Sequence, residues 1–580
     1  MQFVSRFFVV SVVLLAGVSA CVAGAVVNGS IAYQTIDGFG CTNACMVAIP
    51  TSSSGPVDML TPQERATAIE KVYGEVGINM GNLGRTIAEG DGTWSGQAND
   101  NSDPNTINPA GFNWVNANNA VQKLITPAQA YGFNNFYLSG ITMRWGNAWL
   151  QPLAANPGTY QTFVAEAAEN VVAEAVHWRD AYGITPKYLM AFNEPLSGNC
   201  EIWYNGGVGR TQDVVNIVKA TGAALRAAGF ADMKLVVPGE ETESKSLATA
   251  QAIMNDPDAR QYVGAIAYHT YPYGSTYSDC NNILATSGSG NPVQSCIAVR
   301  GQLRDLAKQY NVPLWMTEVS HGNVDPLGFA DLRARAIHIH DELVYANASA
   351  YFGMNNIVTG AASEGSIAQV DTATGQVTIT GIGYAIGHYA RWLHDGAYRI
   401  DASSGDPLVE LSSFKDPETD SLVMVAINNH TTPQTLTFDL GGLGATGPLT
   451  FTGEQSTASA YWQPLGSLLS QSATQFSVLV PADSVTTFAA SLSLPPLPGD
   501  ADGDGIVTFK DYIILERNFG QTGMTFAQGD FNGDGLVSFK DYILLETNFG
   551  KSSVPEPATL ALLAAGLSGL VARRRIAGKQ

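Results

Sequence analysis

Tyr188-Leu189-Met190-Ala191-Phe192-Asn193-Glu194-Pro195 is a short apolar run that ends abruptly on a carboxylate, with a proline directly behind it. An uninterrupted apolar run of this length reads as a strand covered on both faces, and Pro195 stops it one residue after Glu194. Pro313-Leu314-Trp315-Met316-Thr317-Glu318 repeats the design further along the chain. Outward from these two, similar runs occur at residues 35–40, 80–85, 136–141, 234–238, 263–268 and 350–357. Between them lie helical stretches such as residues 159–182 and 211–228, where apolar residues recur at helical spacing. Eight strands alternating with helices predict an α/β fold, a (β/α)8 TIM barrel with enlarged loops. In such a barrel the C-terminal strand ends form the mouth, so Glu194 on the fourth strand and Glu318 on the seventh are expected to face one another.

The texture changes after the barrel. Residues 381–494 show strand-like alternation at 421–427, 434–438 and 475–480, with Gly, Pro, Asn and Asp at the turns. This predicts a small antiparallel β-sandwich fused to the barrel's side. The resulting division is a signal peptide at 1–24, a barrel at 25–380, the sandwich at 381–494, a linker with two short repeats at 495–552, and a sorting tail at 553–580. Residues 25–34 are placed in the barrel segment but also read as a strand joining the sandwich sheet.

Both chain ends carry export features. Arg6 precedes an uncharged apolar run at 7–20, and small residues follow, giving expected cleavage near Ala23 or Ala25. Val18-Ser19-Ala20-Cys21 supports a second reading, a lipoprotein signal acylated at Cys21. Five further cysteines remain, Cys41, Cys45, Cys200, Cys280 and Cys296; an oxidising compartment permits a bridge between Cys280 and Cys296, and buried free thiols are the alternative. The formal charge of -21 leaves no basic surface to neutralise phosphates and excludes nucleic acid as a partner.

Two carboxyl groups facing each other across a barrel mouth are what cleavage of a glycosidic bond requires. One donates a proton to the leaving oxygen, and the other, ionised, attacks the anomeric carbon. Retaining enzymes hold the pair about 5–5.5 Å apart, so that a covalent glycosyl intermediate forms and the first carboxyl then activates water. Asn193 is placed to donate to the sugar 2-hydroxyl.

The set of motifs resembles glycoside hydrolase family 30 of clan A. Gln34-Thr35-Ile36-Asp37-Gly38-Phe39-Gly40 resembles the family's opening strand. Tyr384-Ala385-Ile386-Gly387-His388-Tyr389-Ala390-Arg391-Trp392-Leu393, with Gly396-Ala397-Tyr398-Arg399-Ile400, resembles its signature between barrel and sandwich. The resemblance implies Glu194 as acid/base and Glu318 as nucleophile, with no cofactor for catalysis, acting on a β-linked polysaccharide such as a xylan, β-1,6-galactan or β-glucan. It implies that Arg85 hydrogen-bonds the nucleophile and that His269 and Tyr271 shape the pocket. Trp145, Trp149, Trp203 and Tyr204 lie on loops where they could stack on sugar rings. Glu240, Glu241 and Glu243 read as a solvated charge run, with a lining of sugar subsites as the alternative. The eighth strand lacks the tryptophan common in clan A, and its following loop through Val370 contains no arginine, which counts against a glucuronate-substituted xylan.

Residues 500–511 recur as 530–541. Asp500, Asp502, Asp504, Thr508 and Asp511, with the Ile506 carbonyl, occupy the ligand positions of an EF-hand-like loop around Gly505. Asp530, Asn532, Asp534, Ser538 and Asp541, with the Leu536 carbonyl and Gly535, occupy the same positions in the second. Hard oxygen donors at this spacing suit two Ca2+ ions. Aspartate at the twelfth position and a single following helix resemble type I dockerin repeats, which implies a cohesin-like partner. Val554-Pro555-Glu556-Pro557, an apolar run at 558–572 and Arg573-Arg574-Arg575 resemble a PEP-CTERM signal. That implies processing by a sorting protease or transpeptidase and an extracellular or outer-membrane-associated destination of Gram-negative type. The rival reading is a noncatalytic glycan-binding or matrix protein that works through its calcium repeats.

Overall fold

The structure is a computed structural model that describes residues 22–43, 60–83, 88–89, 99–141, 149–196, 210–271, 294–319, 325, 327–359, 366–492, 497–503 and 506–551. Eight parallel strands close into a ring. In chain order they are Gly38–Asn43, Met80–Asn82, Asn135–Ile141, Tyr188–Phe192, Lys234–Glu240, Val263–His269, Leu314–Glu318 and Ala350–Thr359. Each pairs with its neighbours in sequence, and the eighth pairs with both the seventh and the first. The eighth strand also carries a two-strand extension, Ser366–Asp371 and Gln376–Ile379.

Side chains fill the ring. Met80, Tyr137, Met190, Val236, Ala265, Ala267, Trp315, Ala350 and Phe352 form a core of their own inside it. Trp315 is fully buried at its centre, with the Tyr137 and Tyr188 rings 5.7 and 4.8 Å away, and its Nε1 donates to Asp37 Oδ2 at 2.7 Å. Ser349 donates to the same oxygen at 2.7 Å, so the half-buried carboxylate at the foot of the first strand is held by two donors. Gly40 is required here: a Cβ would lie 2.0 Å from the Met80 carbonyl oxygen of the neighbouring strand.

Helices cover the outside of the ring. Tyr160–Tyr182 buries an Ala- and Val-rich face in the main core, and Gly183, at φ 68°, ends it in the left-handed conformation a side chain would disfavour. Thr211–Ala227, Glu243–Asn255, Gln294–Tyr310 and Phe329–Val344 continue the layer.

The second sheet is the expected sandwich with one difference. Tyr398–Ser404, Val409–Asp416, Ser421–Asn428, Ser484–Ser491 and Thr450–Thr457 follow one another as antiparallel neighbours. The strand Val22–Thr35 enters beside Tyr398–Ser404, antiparallel to it, and runs parallel to Gln434–Gly441 on its other side. A strand that arrives from the chain start is not tied by a hairpin to either neighbour, so nothing fixes it antiparallel to both. Gln34 at its end donates from Nε2 to the carbonyls of Leu343 and Ala348, at 2.8 and 3.1 Å, and so ties the sheet to the barrel.

The helix Gly381–Ala390 explains the signature that follows the barrel. His388 is fully buried and bonded to Thr487 and Ser456 of the sandwich at 2.9 and 2.8 Å. Arg391 and Trp392 both reach Glu454, at 2.7 and 3.1 Å. These residues belong to the joint between the two layers and not to the barrel mouth.

Residues 497–503 and 506–551 form a separate small core of Ala501, Val507, Leu515, Phe531, Val537 and Leu545. Its helices, Phe509–Asn518 and Phe539–Asn548, start from matching capping boxes: Thr508 with Asp511, and Ser538 with Asp541. Among the described residues, no helix is long and apolar enough to cross a membrane.

Candidate active site

The ends of the fourth to seventh strands converge on one group of charged side chains. The backbone turns sharply at Glu194, whose φ of 45° is unusual for a residue with a side chain and costs of order 1–3 kcal/mol. Two bonds from the end of the fifth strand hold that turn. The Glu194 N–H donates to the Gly239 carbonyl at 2.9 Å, and the Leu196 N–H donates to Glu240 Oε2 at 3.1 Å. The turn aims the Glu194 carboxyl at His269, whose Nδ1 lies 2.9 Å from Glu194 Oε1.

Glu318 comes in from the seventh strand, 7 % exposed. The Tyr271 hydroxyl, just past the sixth strand, donates to its Oε1 at 2.8 Å. One carboxylate oxygen from each glutamate and a ring nitrogen of His269 all lie within 4.8 Å of one another. That separation lets one carboxyl reach the leaving oxygen while the other reaches the anomeric carbon of a single sugar.

Electrostatics bind the three together. Burial pushes the Glu318 carboxyl up, His269 pulls it down, Glu194 raises it and the Tyr271 hydroxyl lowers it again, with a net upward direction. Burial alone would push the fully buried His269 down, but the carboxylates of Glu318, Glu194 and Glu240 around it hold it above its ordinary value. Beneath the group, burial and the nearby Glu318 push the Tyr137 hydroxyl well up.

Of the residues expected from sequence, Glu194, His269, Tyr271 and Glu318 form one linked group. Asn193 is half-buried beside Glu194, at the end of its strand. Trp149 packs its ring against the main core. Arg85, Trp145, Trp203 and Tyr204 lie outside the described residues, as do Cys45, Cys200, Cys280, the segments before residue 22 and after residue 551, and Asp504 and Gly505 of the first repeat. The Cys296 side chain is likewise outside them. Cys41 is a buried free thiol on the first barrel strand, and burial pushes its ionisation up.

One reading is corrected. Glu240, Glu241 and Glu243 are not a solvated run; all three are buried, at 0, 3 and 4 % exposed. Glu240 accepts from Leu196 and from the Thr249 hydroxyl at 3.3 Å, Glu241 pairs with Lys245, and Glu243 lies 3.5 Å from Arg300. A cluster of charges on a short segment looks solvated in sequence; here Leu196 and Arg300, distant in the chain, join Lys245 and Thr249 of the following helix as partners. Sequence reading therefore missed Glu240 as a positioning residue, and also Gly239, whose φ of 64° brings its carbonyl under Glu194. The signal was there: a Gly-Glu pair closes the fifth strand as Asn-Glu closes the fourth.

In the repeats, carboxylate oxygens of Asp500, Asp502 and Asp511 lie within 4.8 Å of one another. Asp511 also accepts from the backbone N–H groups of Ala501, Asp502 and Thr508 at 2.8, 3.0 and 2.8 Å. In the second loop, Asp541 accepts from the Asn532 and Ser538 N–H groups at 3.0 and 2.8 Å, and Asp530 from those of Gly533 and Gly535 at 3.0 and 2.8 Å. The described residues of each loop thus fold around its carboxylates.

An eight-stranded barrel with a fused side β-sandwich is a fold found among known proteins. Residues 396–488 match the glycosyl hydrolase family 30 beta sandwich domain, and residues 553–575 match the PEP-CTERM protein-sorting motif. A Caenorhabditis elegans protein described as "Putative glucosylceramidase 2" is 23 % identical over 452 residues, which is 71 % of this chain and 78 % of that protein. Among solved structures, the family 30 subfamily 8 xylanase Xyn30A from Clostridium acetobutylicum is similar at a TM-score of 0.57 and 20 % identity, over 81 % of this chain and 99 % of that one. The catalytic domain of xylanase C from Talaromyces cellulolyticus is similar at 0.59 and 18 % identity, over 80 % and 99 %. An endo-beta1,6-glucanase is similar at 0.54 and 17 % identity, over 81 % and 94 %.

Proposed function

We propose that this chain is an exported retaining β-glycosidase that cleaves a β-linked polysaccharide by double displacement. The observation that carries the reading is the meeting of Glu194, His269 and Glu318 within 4.8 Å at the C-terminal mouth of the barrel. Glu318 attacks the anomeric carbon as Glu194 gives its proton to the departing glycosidic oxygen. The carbon–oxygen bond to the leaving sugar breaks, and an ester to Glu318 forms. The ester carries no charge, so Glu194, now ionised, takes a proton from water as that water releases the sugar. Tyr271 orients Glu318 through its hydroxyl, and His269 holds Glu194 against the face where the leaving oxygen sits. The Glu194 backbone, strained and braced by Gly239 and Glu240, fixes the carboxyl's direction before substrate arrives.

The relatives whose names record xylan or β-1,6-glucan cleavage set the first substrates to try, with β-1,6-galactans beside them. The absence of arginine in the loop after the eighth strand disfavours a glucuronate-substituted xylan. The sorting-motif match supports delivery to the surface of a Gram-negative cell, where the tail is processed. The two repeats fit one Ca2+ each: Asp500, Asp502 and Asp511 in one loop, and Asp530, Asn532, Asp534 and Asp541 in the other, with Asp504, Ile506, Thr508, Leu536 and Ser538 completing the sets. The oxygen-only donor chemistry is that of calcium. The ion would organise the loops as a dockerin-type module for a cohesin-like partner.

The test is reducing-sugar release from β-xylans, β-1,6-galactans and β-glucans by the wild type and by Glu318→Gln. Release that vanishes in the variant supports the assignment, whereas equal release by both removes Glu318 from the chemistry.

A further inference from the structure

A second group of ionisable side chains, unused by the proposed chemistry, lies where the barrel's outer helices meet the sandwich. His340 and Asp341 are on the helix Phe329–Val344, and Glu410 is on the strand Val409–Asp416. They are 4, 4 and 7 % exposed. One donor atom from each, a ring nitrogen and two carboxylate oxygens, lies within 4.8 Å of the other two.

Their partners do not account for them. Among the described residues, no hydrogen-bond donor reaches either oxygen of Glu410 or Oδ1 of Asp341, and Nδ1 of His340 has no partner. The nearest cations are engaged elsewhere. Arg300 stands 4.0 Å from Asp341 but places Nη2 2.5 Å from Glu342. Arg399 is turned to Gln34 and Asn347, at 3.2 and 2.8 Å. A buried carboxylate without a donor carries an effective penalty of several kcal/mol, and two side by side add repulsion.

We propose that His340, Asp341 and Glu410 bind a divalent transition-metal cation of the zinc type, which pins the sandwich to the barrel. One imidazole and two carboxylates are a donor set suited to Zn2+, whereas calcium takes oxygens throughout. Two carboxylates and one divalent cation also sum to zero charge, so the buried group becomes neutral without a proton. The ring is in the state a ligand needs, since burial pushes His340 down to about 3. Burial pushes Asp341 up to about 7, and burial with Asp341 alongside pushes Glu410 well above its ordinary value. Both carboxyls are thus shifted toward the protonated form, and metal binding competes with that protonation.

The experiment uses the full chain, stripped of metals and returned to millimolar Ca2+ so that the oxygen-lined repeats are filled. It is then titrated with Zn2+ and with Co2+. The barrel-mouth group is also a set of one histidine and two carboxylates, so the same titration is run on the Glu194→Gln/Glu318→Gln chain. The expected result is one equivalent of Zn2+ retained through gel filtration by both chains, visible Co2+ absorption, and a higher melting temperature with metal. Glu410→Gln and His340→Gln should each weaken binding at least tenfold. No retained zinc in the wild type overturns the proposal, as does zinc lost in the Glu194→Gln/Glu318→Gln chain and kept in Glu410→Gln. If the interface variants do not fold, stoichiometry and Co2+ absorption in the Glu194→Gln/Glu318→Gln chain still decide it.

Discussion

At the barrel mouth, Glu194, His269 and Glu318 sit among donors chosen for them: His269 on Glu194, Tyr271 on Glu318. At the joint between barrel and sandwich, His340, Asp341 and Glu410 bring together the same residue types at the same spacing, and among the described residues no donor meets the Glu410 oxygens. The mouth group is a hydrogen-bonded array on strand ends, in which a proton can move between defined atoms. The joint group spans a barrel helix and a strand of the sandwich, and its two buried carboxyls face each other. Composition and distance do not distinguish chemistry from ligation here; the donors around each group do.

Single substitutions in each group should give opposite outcomes. The largest effect expected is at Glu318: Glu318→Ala should lower kcat by about 10^4-fold or more, the scale seen when one member of a catalytic unit is removed. The folded state should be retained. A small anion such as azide then discriminates the roles. With Glu318→Ala it attacks the anomeric carbon directly and gives an inverted glycosyl azide. With Glu194→Ala it attacks the glycosyl-enzyme ester and gives a retained one. The opposite pairing of anomers would exchange the two assignments. Glu194→Gln alone should cost about 10^2–10^4-fold on substrates with a poor leaving group, as loss of general acid catalysis does. Glu410→Gln should leave kcat within about twofold, because a site without shared partners adds independently. A loss of activity there comparable to Glu318→Ala would erase the contrast between the groups.

Tyr271→Phe sits between these extremes. It removes one hydrogen bond to a carboxylate, worth about 1.5–3 kcal/mol and therefore roughly 10–100-fold in kcat/KM. A change confined to KM would mean that the hydroxyl serves the sugar and not Glu318.

Much of the fold was legible because parallel barrel strands are apolar throughout and end where chemistry begins. Seven strands fall on their expected runs and the first lies three residues further on, at Gly38–Asn43, because Thr35 ends the sandwich strand; Glu194 and Glu318 meet as those runs imply. Short-range signals carried this. What stayed hidden depends on pairings across long sequence separations. The direction of Val22–Thr35 beside Gln434–Gly441 has no local signature. Neither has the burial of Glu240, whose partners Leu196 and Thr249 come from the loop before it and the helix after it. His340, Asp341 and Glu410 are invisible for the same reason, since Glu410 approaches from another sheet. The signature at residues 384–400 was read correctly as a junction; its atoms turn out to be docking contacts such as His388 to Ser456 and Thr487.

The smallest effect expected is a pH dependence at Glu240, which accepts from Leu196 just behind the Glu194 turn. Burial, with Glu241 and Glu194 nearby, pushes this carboxyl up to about 8 from an ordinary 4.5, against the pull of the Leu196 and Thr249 donors. The folded state therefore binds the Glu240 proton more tightly than the unfolded chain. Its contribution to stability is full below 4.5, declines as pH rises and is gone above the folded value of about 8. Each unit of separation corresponds to about 1.4 kcal/mol. Glu240→Gln, permanently neutral, should match the wild type below that window and exceed it in melting temperature by a few degrees above it. The measurement is the difference between the two melting temperatures across the window. A difference that does not vary with pH would mean Glu240 is ionised throughout. Glu194 would then face a standing negative charge one strand away, and the brace under its strained turn would be an electrostatic liability in place of a neutral support.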